Sequence, residues 1–256
     1  MQENQYSSLA ASDSLRQRGI DLIYFDEIDS TNAEARRMAE QGKNTPALIV
    51  ADRQSAGRGR MGRSFFSPVG TGIYMSLLIE VKSDELPAAV SLTSAAAVAV
   101  IRATDKYTGK KTLIKWVNDI LLDGKKVCGI LAESFTAHGK SYVCIGIGIN
   151  TSTKDFPEDI SNIAGSVNTS DRASICESVC CELYDLYLEI LASDKSYIEE
   201  YRSRSAVIGR EITYIQNGKS TNAIALDIDG NGALTVKHGD GTEARLFSGE
   251  ISLRIK

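Results

Sequence analysis

The chain has 256 residues, of which 29 are Lys or Arg and 33 are Asp or Glu, so its net charge is -4. Its hydrophobic content of 43% and charged content of 24% are ordinary for a folded globular protein. This length predicts one large domain, or one large and one small domain. The mildly acidic balance excludes a general nucleic-acid footprint, which would need a basic domain or stripe.

The sequence predicts neither a membrane span nor a secretion signal. The longest apolar run, residues 86–103, contains Ser, Thr and Arg and is rich in alanine, which predicts a buried helix. Residues 1–13 are polar and lack the apolar stretch of a signal peptide. Five cysteines without a C-x-x-C pair indicate reduced, buried thiols, and a cytoplasmic location is expected.

The first half of the chain alternates strands and helices after a disordered or weakly helical lead-in over residues 1–19. Ser30 or Thr31 is a good helix cap, and Glu34 follows at the spacing of a capping box. Such a helix start offers free N–H groups to a ligand, although simple capping explains these residues equally well. The predicted elements are strands over 22–25, 47–51 and 71–80, and helices over 33–41 and 85–107.

Residues 54–63 form a loop with three glycines and three arginines in ten residues, between two apolar strands. Glycine lets backbone N–H groups approach a ligand, and guanidinium groups match phosphate or carboxylate oxygens. No helix follows the G-x-G-x-x-G pattern, which disfavours a dinucleotide fold, and no kinase motifs come later. The loop therefore predicts an anion-binding site, with a solvated basic turn as the alternative.

Residues 112–150 predict three successive antiparallel strands. Asp123-Gly124 between apolar runs is a strong hairpin signal, and a second turn falls at residues 138–139. Gly146 and Gly148 leave one face of the third strand bare, which often marks the close approach of a ligand. Asp119 could bind a magnesium ion together with phosphate oxygens, or it could only start a turn. The lysines beside the hairpin could belong to a binding site or could be ordinary surface residues.

The character of the sequence changes near residues 205–209. Before this point, residues 151–170 predict a loop, and residues 172–192 and 196–204 predict two amphipathic helices. After it, five short strands separated by glycine-rich turns predict a small barrel. These strands are predicted over residues 212–215, 223–228, 233–237, 243–247 and 251–255.

Five motifs, in this order, resemble those of the bacterial biotin-protein ligases. They are residues 29–32 (DSTN), 57–63 (GRGRMGR) with Ser67-Pro68, 115–119 (KWVND), 126–131 (KVCGIL) and 146–150 (GIGIN). The resemblance runs from residue 22 to residue 256 and includes the tail at residues 249–253. It implies an α+β fold, namely a class II synthetase-like mixed sheet flanked by helices, with a small C-terminal SH3-like β-barrel.

The resemblance also implies a domain plan and an activity. Residues 1–20 would be a lead-in, 21–206 the catalytic biotin- and ATP-binding domain, and 207–256 the SH3-like domain. The implied enzyme activates biotin with ATP as biotinyl-5'-AMP and transfers it to a lysine of a biotin carboxyl carrier domain. Mg²⁺ is the implied metal. Cations would bring the two anionic reactants together and stabilise the charge that builds at the α-phosphate.

Residue roles follow from the resemblance, position by position. Lys126, Arg58 and Arg60 are implied as catalytic, and Asp119 as a ligand of Mg²⁺. Biotin would be bound by Ser30, Thr31, Asn32, Gln54, Arg58, Gly59, Arg60 and Lys126. ATP would be bound by Arg63, Lys115, Asp119 and Asn150.

Two positions depart from the pattern of the family. Phe65 stands where Trp is usual, which keeps an aromatic wall but removes an N–H donor. Val117 stands where Pro is usual, which relaxes the backbone beside Asp119. Neither change removes a charge that the reaction needs.

The resemblance leaves alternatives for acyl group, partner and assembly. A lipoate-protein ligase shares the adenylate chemistry, and a non-catalytic module could use the arginine loop to dock an acidic partner. The twenty residues before the first strand are too few for the DNA-binding domain of bifunctional members, so a monofunctional ligase without specific DNA or membrane binding is expected. Family members occur as monomers or homodimers.

Overall fold

Two β-sheets carry the fold. The structure, a computed structural model, describes residues 6–82, 85, 91–216, 218–247 and 249–253, with the backbone alone for Glu250 and Leu253. The large sheet contains β1 (Asp21–Ile28), β2 (Ala47–Gln54), β3 (Gly72–Val81), β4 (Leu113–Lys115), β5 (Asp119–Leu122), β6 (Lys125–Ala137) and β7 (Lys140–Asn150). The small sheet contains β8 (Glu211–Gln216), β9 (Lys219–Ile228), β10 (Leu234–Lys237), β11 (Glu243–Leu246) and β12 (Glu250–Leu253).

Within the described residues, five helices pack on the large sheet or join it to the small one. They are α1 (Asp13–Gln17), α2 (Thr31–Glu40), α3 (Leu92–Thr108), α4 (Arg172–Leu191) and α5 (Tyr197–Ser203). Residues 86–90, where the alanine-rich helix was predicted to begin, lie outside the described residues. None of the helices described is both long and apolar enough to cross a membrane.

The large sheet is mixed, in the order β1-β2-β3-β7-β6-β5-β4. β1 and β2 pair in parallel, and the other pairs are antiparallel. The predicted meander is confirmed as β5, β6 and β7. Asp123 and Gly124 form its first turn with φ of 51° and 76°, the left-handed values that a two-residue hairpin turn requires.

The two faces of the large sheet are covered unequally, and this creates the site. Helices α3 and α4 pack on the face formed by alternate apolar residues of β3 and β7, such as Leu77 and Ile147. On the other face, α2 packs Ala35 and Met38 against Ile49, Leu78 and Cys144. Because strand residues alternate between faces, Ser76, Gly146 and Gly148 also lie on this second face. This face stays open beyond the start of α2.

The predicted capping box at the start of α2 is wrong. Ser30 is the N-cap residue, but its side chain makes no capping hydrogen bond. The Glu34 carboxylate pairs with Arg37 at 2.7 Å instead of turning back to the cap. The Thr31 N–H donates to Oε1 of Gln54 at 2.8 Å, so a tertiary partner satisfies this end of the helix.

The lead-in is part of the core from residue 6 onward. Residues 7–11 form a 3-10 turn and α1 follows it, so the helical prediction is confirmed and the disordered alternative is wrong for residues 6–19. Tyr6, Leu9 and Leu15 are buried against the large sheet and α4. Residues 1–5 lie outside the described residues.

The C-terminal region has the five predicted strands, in the antiparallel order β11-β10-β9-β8-β12. The last predicted strand is described as far as residue 253. Strands β11 and β12 form opposite edges of this sheet, so an open sheet is described rather than a closed barrel. All five cysteines are free and buried, as their sequence contexts predict.

Candidate functional site

A cavity of about 1000 Å³ opens on the uncovered part of the large sheet. The start of α2, the arginine loop, the β4–β5 turn, β6, β7 and the segment that leads into β12 surround it. Eleven of the twelve site residues predicted above line this cavity: Ser30, Thr31, Asn32, Gln54, Arg58, Gly59, Arg60, Arg63, Lys115, Asp119 and Lys126.

One end of the cavity is a hydrogen-bonded group that we call the polar network: Thr31, Asn32, Gln54, Ser67 and Ser76. Ser76 Oγ lies 2.7 Å from both Thr31 Oγ1 and Asn32 Oδ1, and its one proton can bond only one of them at a time. The Thr31 hydroxyl donates to Gln54 Oε1 at 3.1 Å, and Gln54 Nε2 donates to Ser67 Oγ at 3.0 Å. Ser76 is fully buried, so these partners replace water.

The glycines of β7 make room for side chains from other elements. A Cβ at Gly146 would lie 2.0 Å from Asn32 Oδ1, and a Cβ at Gly148 would lie 2.5 Å from the Phe65 ring. Gly129 on β6, which pairs with Gly148, also faces the Phe65 ring, since a Cβ at Gly129 would lie 3.2 Å from that ring. The bare strip therefore seats Asn32 and the aromatic ring that replaces the usual Trp.

The arginine loop is a short hairpin rather than an irregular turn. Phe65 N–H donates to Gly57 O at 2.8 Å, and Gly59 N–H donates to Arg63 O at 2.7 Å. A Cβ at Gly57 would lie 2.4 Å from Phe65 O, so only glycine allows this closure. The prediction that no helix follows the loop is confirmed, because residues 64–71 are irregular and lead into β3; a single 3-10 turn lies within the loop, over residues 60–62.

Several cations line the cavity, and we call three of them the cationic group: Arg58, Arg60 and Lys126. Arg60 Nη1 donates to Asn118 Oδ1 at 3.0 Å and to Gly249 O at 3.4 Å. Arg58 Nη1 lies 3.7 Å from Glu133 Oε1, and Lys126 Nζ lies 2.6 Å from Asp119 Oδ1. The permanent charges thus converge on one space, which two anionic reactants would need.

Lys126 extends across the bare strip of the sheet. A Cβ at Gly129 would lie 3.2 Å from Lys126 Cε and 3.3 Å from its Nζ, beside the Phe65 ring. The ammonium group therefore lies over Gly129 and is held there by its ion pair with Asp119. Close by on β6, burial raises the pKa of the Cys128 thiol, so this cysteine stays protonated and is not a nucleophile.

Asn150 is the predicted site residue that does not line the cavity. Its Nδ2 donates to Gly165 O at 3.0 Å, and Gly165 N–H donates to the Lys126 carbonyl at 2.9 Å. Its Oδ1 is buried with no hydrogen-bond partner among the described residues. Asn150 is thus linked through Gly165 to the backbone of Lys126.

The Mg²⁺ prediction depends on few oxygens. The described residues contain no group of three His, Cys, Asp or Glu side chains suited to a metal ion. Two carboxylates, from Asp119 and Asp123, line the cavity, whereas the orphaned Asn150 oxygen is buried on β7 outside the cavity lining. This set fits Mg²⁺, which commonly uses one or two carboxylates together with substrate phosphates and water.

Residue Val117 lies in a segment held from two sides. The Tyr201 hydroxyl donates to Val117 O at 3.0 Å, and Trp116 Nε1 donates to Gly232 O at 2.8 Å. The Trp116–Val117 peptide bond is cis. The β4–β5 turn is thereby fixed by α5 and by the C-terminal region, although the usual Pro is absent.

Sequence reasoning missed four residues that hold the others in place: Ser67, Ser76, Asn118 and Glu133. Asn118 bonds Arg60 and also donates through Nδ2 to Ile130 O at 3.0 Å. Glu133 Oε2 accepts from Asn32 Nδ2 at 2.8 Å. Strand alternation could have indicated Ser76, since it lies opposite Gly146 in the register.

Comparison with known proteins gives matches along most of the chain. Residues 24–150 match the Biotin/lipoate A/B protein ligase family, and residues 207–254 match the Biotin protein ligase C terminal domain. The bifunctional ligase/repressor BirA of Bacillus subtilis is 34% identical over 246 residues, covering 92% of this chain and 74% of that protein. The biotin–[acetyl-CoA-carboxylase] ligase of Mycobacterium tuberculosis is 30% identical over 235 residues, covering 88% of this chain and 85% of that protein.

The fold agrees with these matches. The biotin protein ligase from Aquifex aeolicus in complex with biotin and ATP superposes with a TM-score of 0.79 at 27% identity, covering 92% of this chain and 99% of that one. The similarity thus extends over most of the chain. The chain belongs to the biotin protein ligase family of enzymes.

Proposed function

We propose that this enzyme activates biotin with ATP to form biotinyl-5'-AMP and pyrophosphate, then transfers the acyl group to a lysine of a biotin carboxyl carrier domain. The observation that carries the proposal is the convergence of Arg58, Arg60 and Lys126 on one cavity that is also lined by Thr31, Asn32 and Gln54 of the polar network. A neutral polar pocket beside three cations suits a ligand with a polar ring at one end and a carboxylate at the other.

The polar network would bind the ring of biotin. Thr31, Asn32 and Gln54 provide both donors and acceptors at fixed positions, since their own hydrogen bonds orient them. Ser30 lies beside them at the start of α2, where the helix dipole favours an electronegative group. This end of the site needs little rearrangement before it can bind a ligand.

The cationic group would bind the reacting anions. The biotin carboxylate attacks the α-phosphorus of ATP, and the bond to the leaving pyrophosphate breaks as the new P–O bond forms. Lys126 and Arg58 lower the repulsion between carboxylate and phosphate, and Arg60 with Gly59 covers them. Arg63 and Lys115 would extend the positive charge toward the nucleotide. In the second step the carrier amine attacks the acyl carbon, AMP leaves, and the amine loses a proton.

Asp119 would hold Mg²⁺ together with phosphate oxygens, and Asn150 would serve the nucleotide, as predicted from the sequence. When bound, this ion supplies charge that neutralises the phosphates. The Asp119 carboxylate also pairs with Lys126 at 2.6 Å, so nucleotide and metal would compete with that ion pair. The lysine would then be available to the α-phosphate.

The domain plan and surroundings of the enzyme are also proposals. Residues 21–206 would form the catalytic domain, and residues 207–256 would close into an SH3-like barrel. Arg60 bonds Gly249 O and Trp116 bonds Gly232 O, which supports a role of the C-terminal domain in holding the arginine loop and the β4–β5 turn. The enzyme would act in the cytoplasm as a monomer or homodimer.

Two assays test the proposal. ATP–pyrophosphate exchange should depend on biotin, and mass spectrometry should detect a single biotinyl addition on a carrier domain incubated with enzyme, ATP and biotin. A second candidate is lipoate activation, since residues 24–150 match a family model that covers both acids. Exchange that depends on lipoate and not on biotin would overturn the proposal in favour of that candidate.

A further inference from the structure

Glu133 on β6 lies beside the cavity and contacts one lining residue from each of its ends, Asn32 and Arg58. Its side chain is 26% exposed, and its two carboxylate oxygens face different partners. Oε2 accepts a hydrogen bond from Asn32 Nδ2 at 2.8 Å, and Oε1 lies 3.7 Å from Nη1 of Arg58. One carboxylate therefore contacts both the polar network and the cationic group.

The contact with Asn32 fixes the orientation of an amide. Asn32 Nδ2 also donates to Leu131 O at 3.3 Å, and Asn32 Oδ1 accepts from Ser76 on the other side. A flipped amide would point its N–H groups at the Ser76 hydroxyl and its oxygen at the Glu133 carboxylate, which repels it. Glu133 thus determines which atom Asn32 presents to a ligand.

The contact with Arg58 is of a different kind. A separation of 3.7 Å is too long for a hydrogen bond, and the Arg58 side chain is 53% exposed. Ion pairs of this kind are weak and easily replaced. A carboxylate or phosphate that enters the cavity can form direct, charge-assisted hydrogen bonds with the same guanidinium.

We propose that Glu133 is a positioning residue with two separable roles: one oxygen orients Asn32, and the other holds Arg58 until an anionic ligand replaces it. The inference rests on the proposed function, in which Arg58 meets the carboxylate of biotin. Before binding, Glu133 compensates the charge of Arg58 beside Arg60. On binding, the guanidinium exchanges the Glu133 carboxylate for that of the ligand.

The variant Glu133→Gln separates the two roles. The amide oxygen still accepts from Asn32, but the charge that competes for Arg58 is lost. The variant Glu133→Ala removes both. Biotin and its primary-alcohol analogue distinguish the consequences, because the alcohol keeps the ring and lacks the carboxylate.

The experiment is calorimetric titration of the ligand-free enzyme with each compound. Glu133→Gln is expected to bind biotin about three- to fivefold more tightly, because a weak competing ion pair is removed. Its affinity for the alcohol is expected to stay unchanged. Glu133→Ala is expected to bind the alcohol about five- to tenfold more weakly, since Asn32 loses a charge-assisted hydrogen bond. Glu80→Gln, which removes the exposed partner of Lys140, is the control for loss of one charge elsewhere.

A double-mutant cycle excludes a general effect of charge. In the Arg58→Met background, Glu133→Gln is expected to change biotin affinity by less than about 1.5-fold. An equal change in both backgrounds, or weaker biotin binding by Glu133→Gln, would overturn the inference. Failure of the wild-type enzyme to bind biotin would instead overturn the proposed function, so the two failures are distinguishable.

Discussion

The two ends of the cavity are built in different ways. In the polar network, Thr31, Asn32 and Ser76 are buried and hydrogen-bonded to one another or to neighbouring strands. In the cationic group, Arg58 and Lys126 are partly exposed and paired with carboxylates. One end already has the geometry to bind a neutral ring, whereas the other must exchange protein carboxylates for ligand anions.

This difference teaches which contacts select the ligand and which carry out the chemistry. A network whose hydrogen bonds are already satisfied discriminates by shape and by donor pattern, because any mismatch leaves a buried polar group unpaired. The carboxylates of Glu133 and Asp119 offset the charges of Arg58 and Lys126, and substrate anions can replace these carboxylates. Changes at the first end should therefore act mainly on biotin affinity, and changes at the second mainly on the rate of adenylate formation.

The largest effect is expected for Lys126→Met, which keeps the aliphatic stem over Gly129 and removes the charge. The rate of biotinyl-5'-AMP formation should fall about 10²–10³-fold, because this is the usual effect of removing one group that stabilises charge in the transition state. The affinity for biotin should change far less. Single-turnover assays with labelled ATP measure this. Lys125→Met, at the exposed neighbouring position, is the control, and normal adenylate formation by Lys126→Met would refute the assignment.

A smaller effect, on biotin binding, is expected for Gly146→Ala, which changes the end of the cavity that contains the polar network. The added Cβ would lie 2.0 Å from Asn32 Oδ1, so the amide must move out of place. Biotin binding should weaken by about 1–3 kcal/mol, the usual range for overpacking, while the rate at saturating biotin changes less. Gly230→Ala, where the new Cβ meets nothing within 4 Å, should leave both unchanged. Unaltered affinity in Gly146→Ala would show that Asn32 does not bind the ligand.

Ser76→Ala tests whether the network acts through its buried members. The change removes the donor that lies 2.7 Å from Thr31 Oγ1 and Asn32 Oδ1. KM for biotin should rise about tenfold, with kcat within about twofold, because roughly one hydrogen bond is lost at the binding end. Steady-state kinetics separate the two constants. A fall in kcat at constant KM would contradict the division between the two ends.

The smallest effect concerns Asp29, which supports the start of α2. Its hydrogen bonds with Arg37 lower the pKa of the Asp29 carboxyl to about 2. A lowered pKa contributes stability above the ordinary value near 3.9, and that stability is lost as the pH falls toward about 2. Since the pair is exposed, Asp29→Asn should lower the free energy of unfolding at pH 7 by no more than about 1 kcal/mol.

Urea unfolding of wild type and Asp29→Asn between pH 7 and pH 2.5 measures this contribution. The difference between the two proteins should be constant above about pH 5 and shrink below pH 4. A difference that persists unchanged to pH 2.5 would mean that the ion pair with Arg37 is not its origin.

Much of the fold follows from local sequence signals. Asp123-Gly124 defines a hairpin turn because both residues tolerate positive φ, and the glycine-rich turns after residue 209 separate the five C-terminal strands. The motifs also identified eleven residues that line one cavity. Local signals failed where a distant partner competes with a neighbour, as when Gln54 satisfies the helix end that a capping box was predicted to close.

The sequence by itself determined the strands, the turns and the residue types that the chemistry needs, because these depend on backbone preferences and spacing within short segments. The tertiary structure alone decided which side chains meet. Lys126 pairs with Asp119, Asn32 fills the space above Gly146, and Glu133 reaches Arg58 because strand register and the position of α2 bring together residues far apart in the chain. Such contacts depend on which face of each strand points to the cavity and on what covers it, and no single segment encodes that.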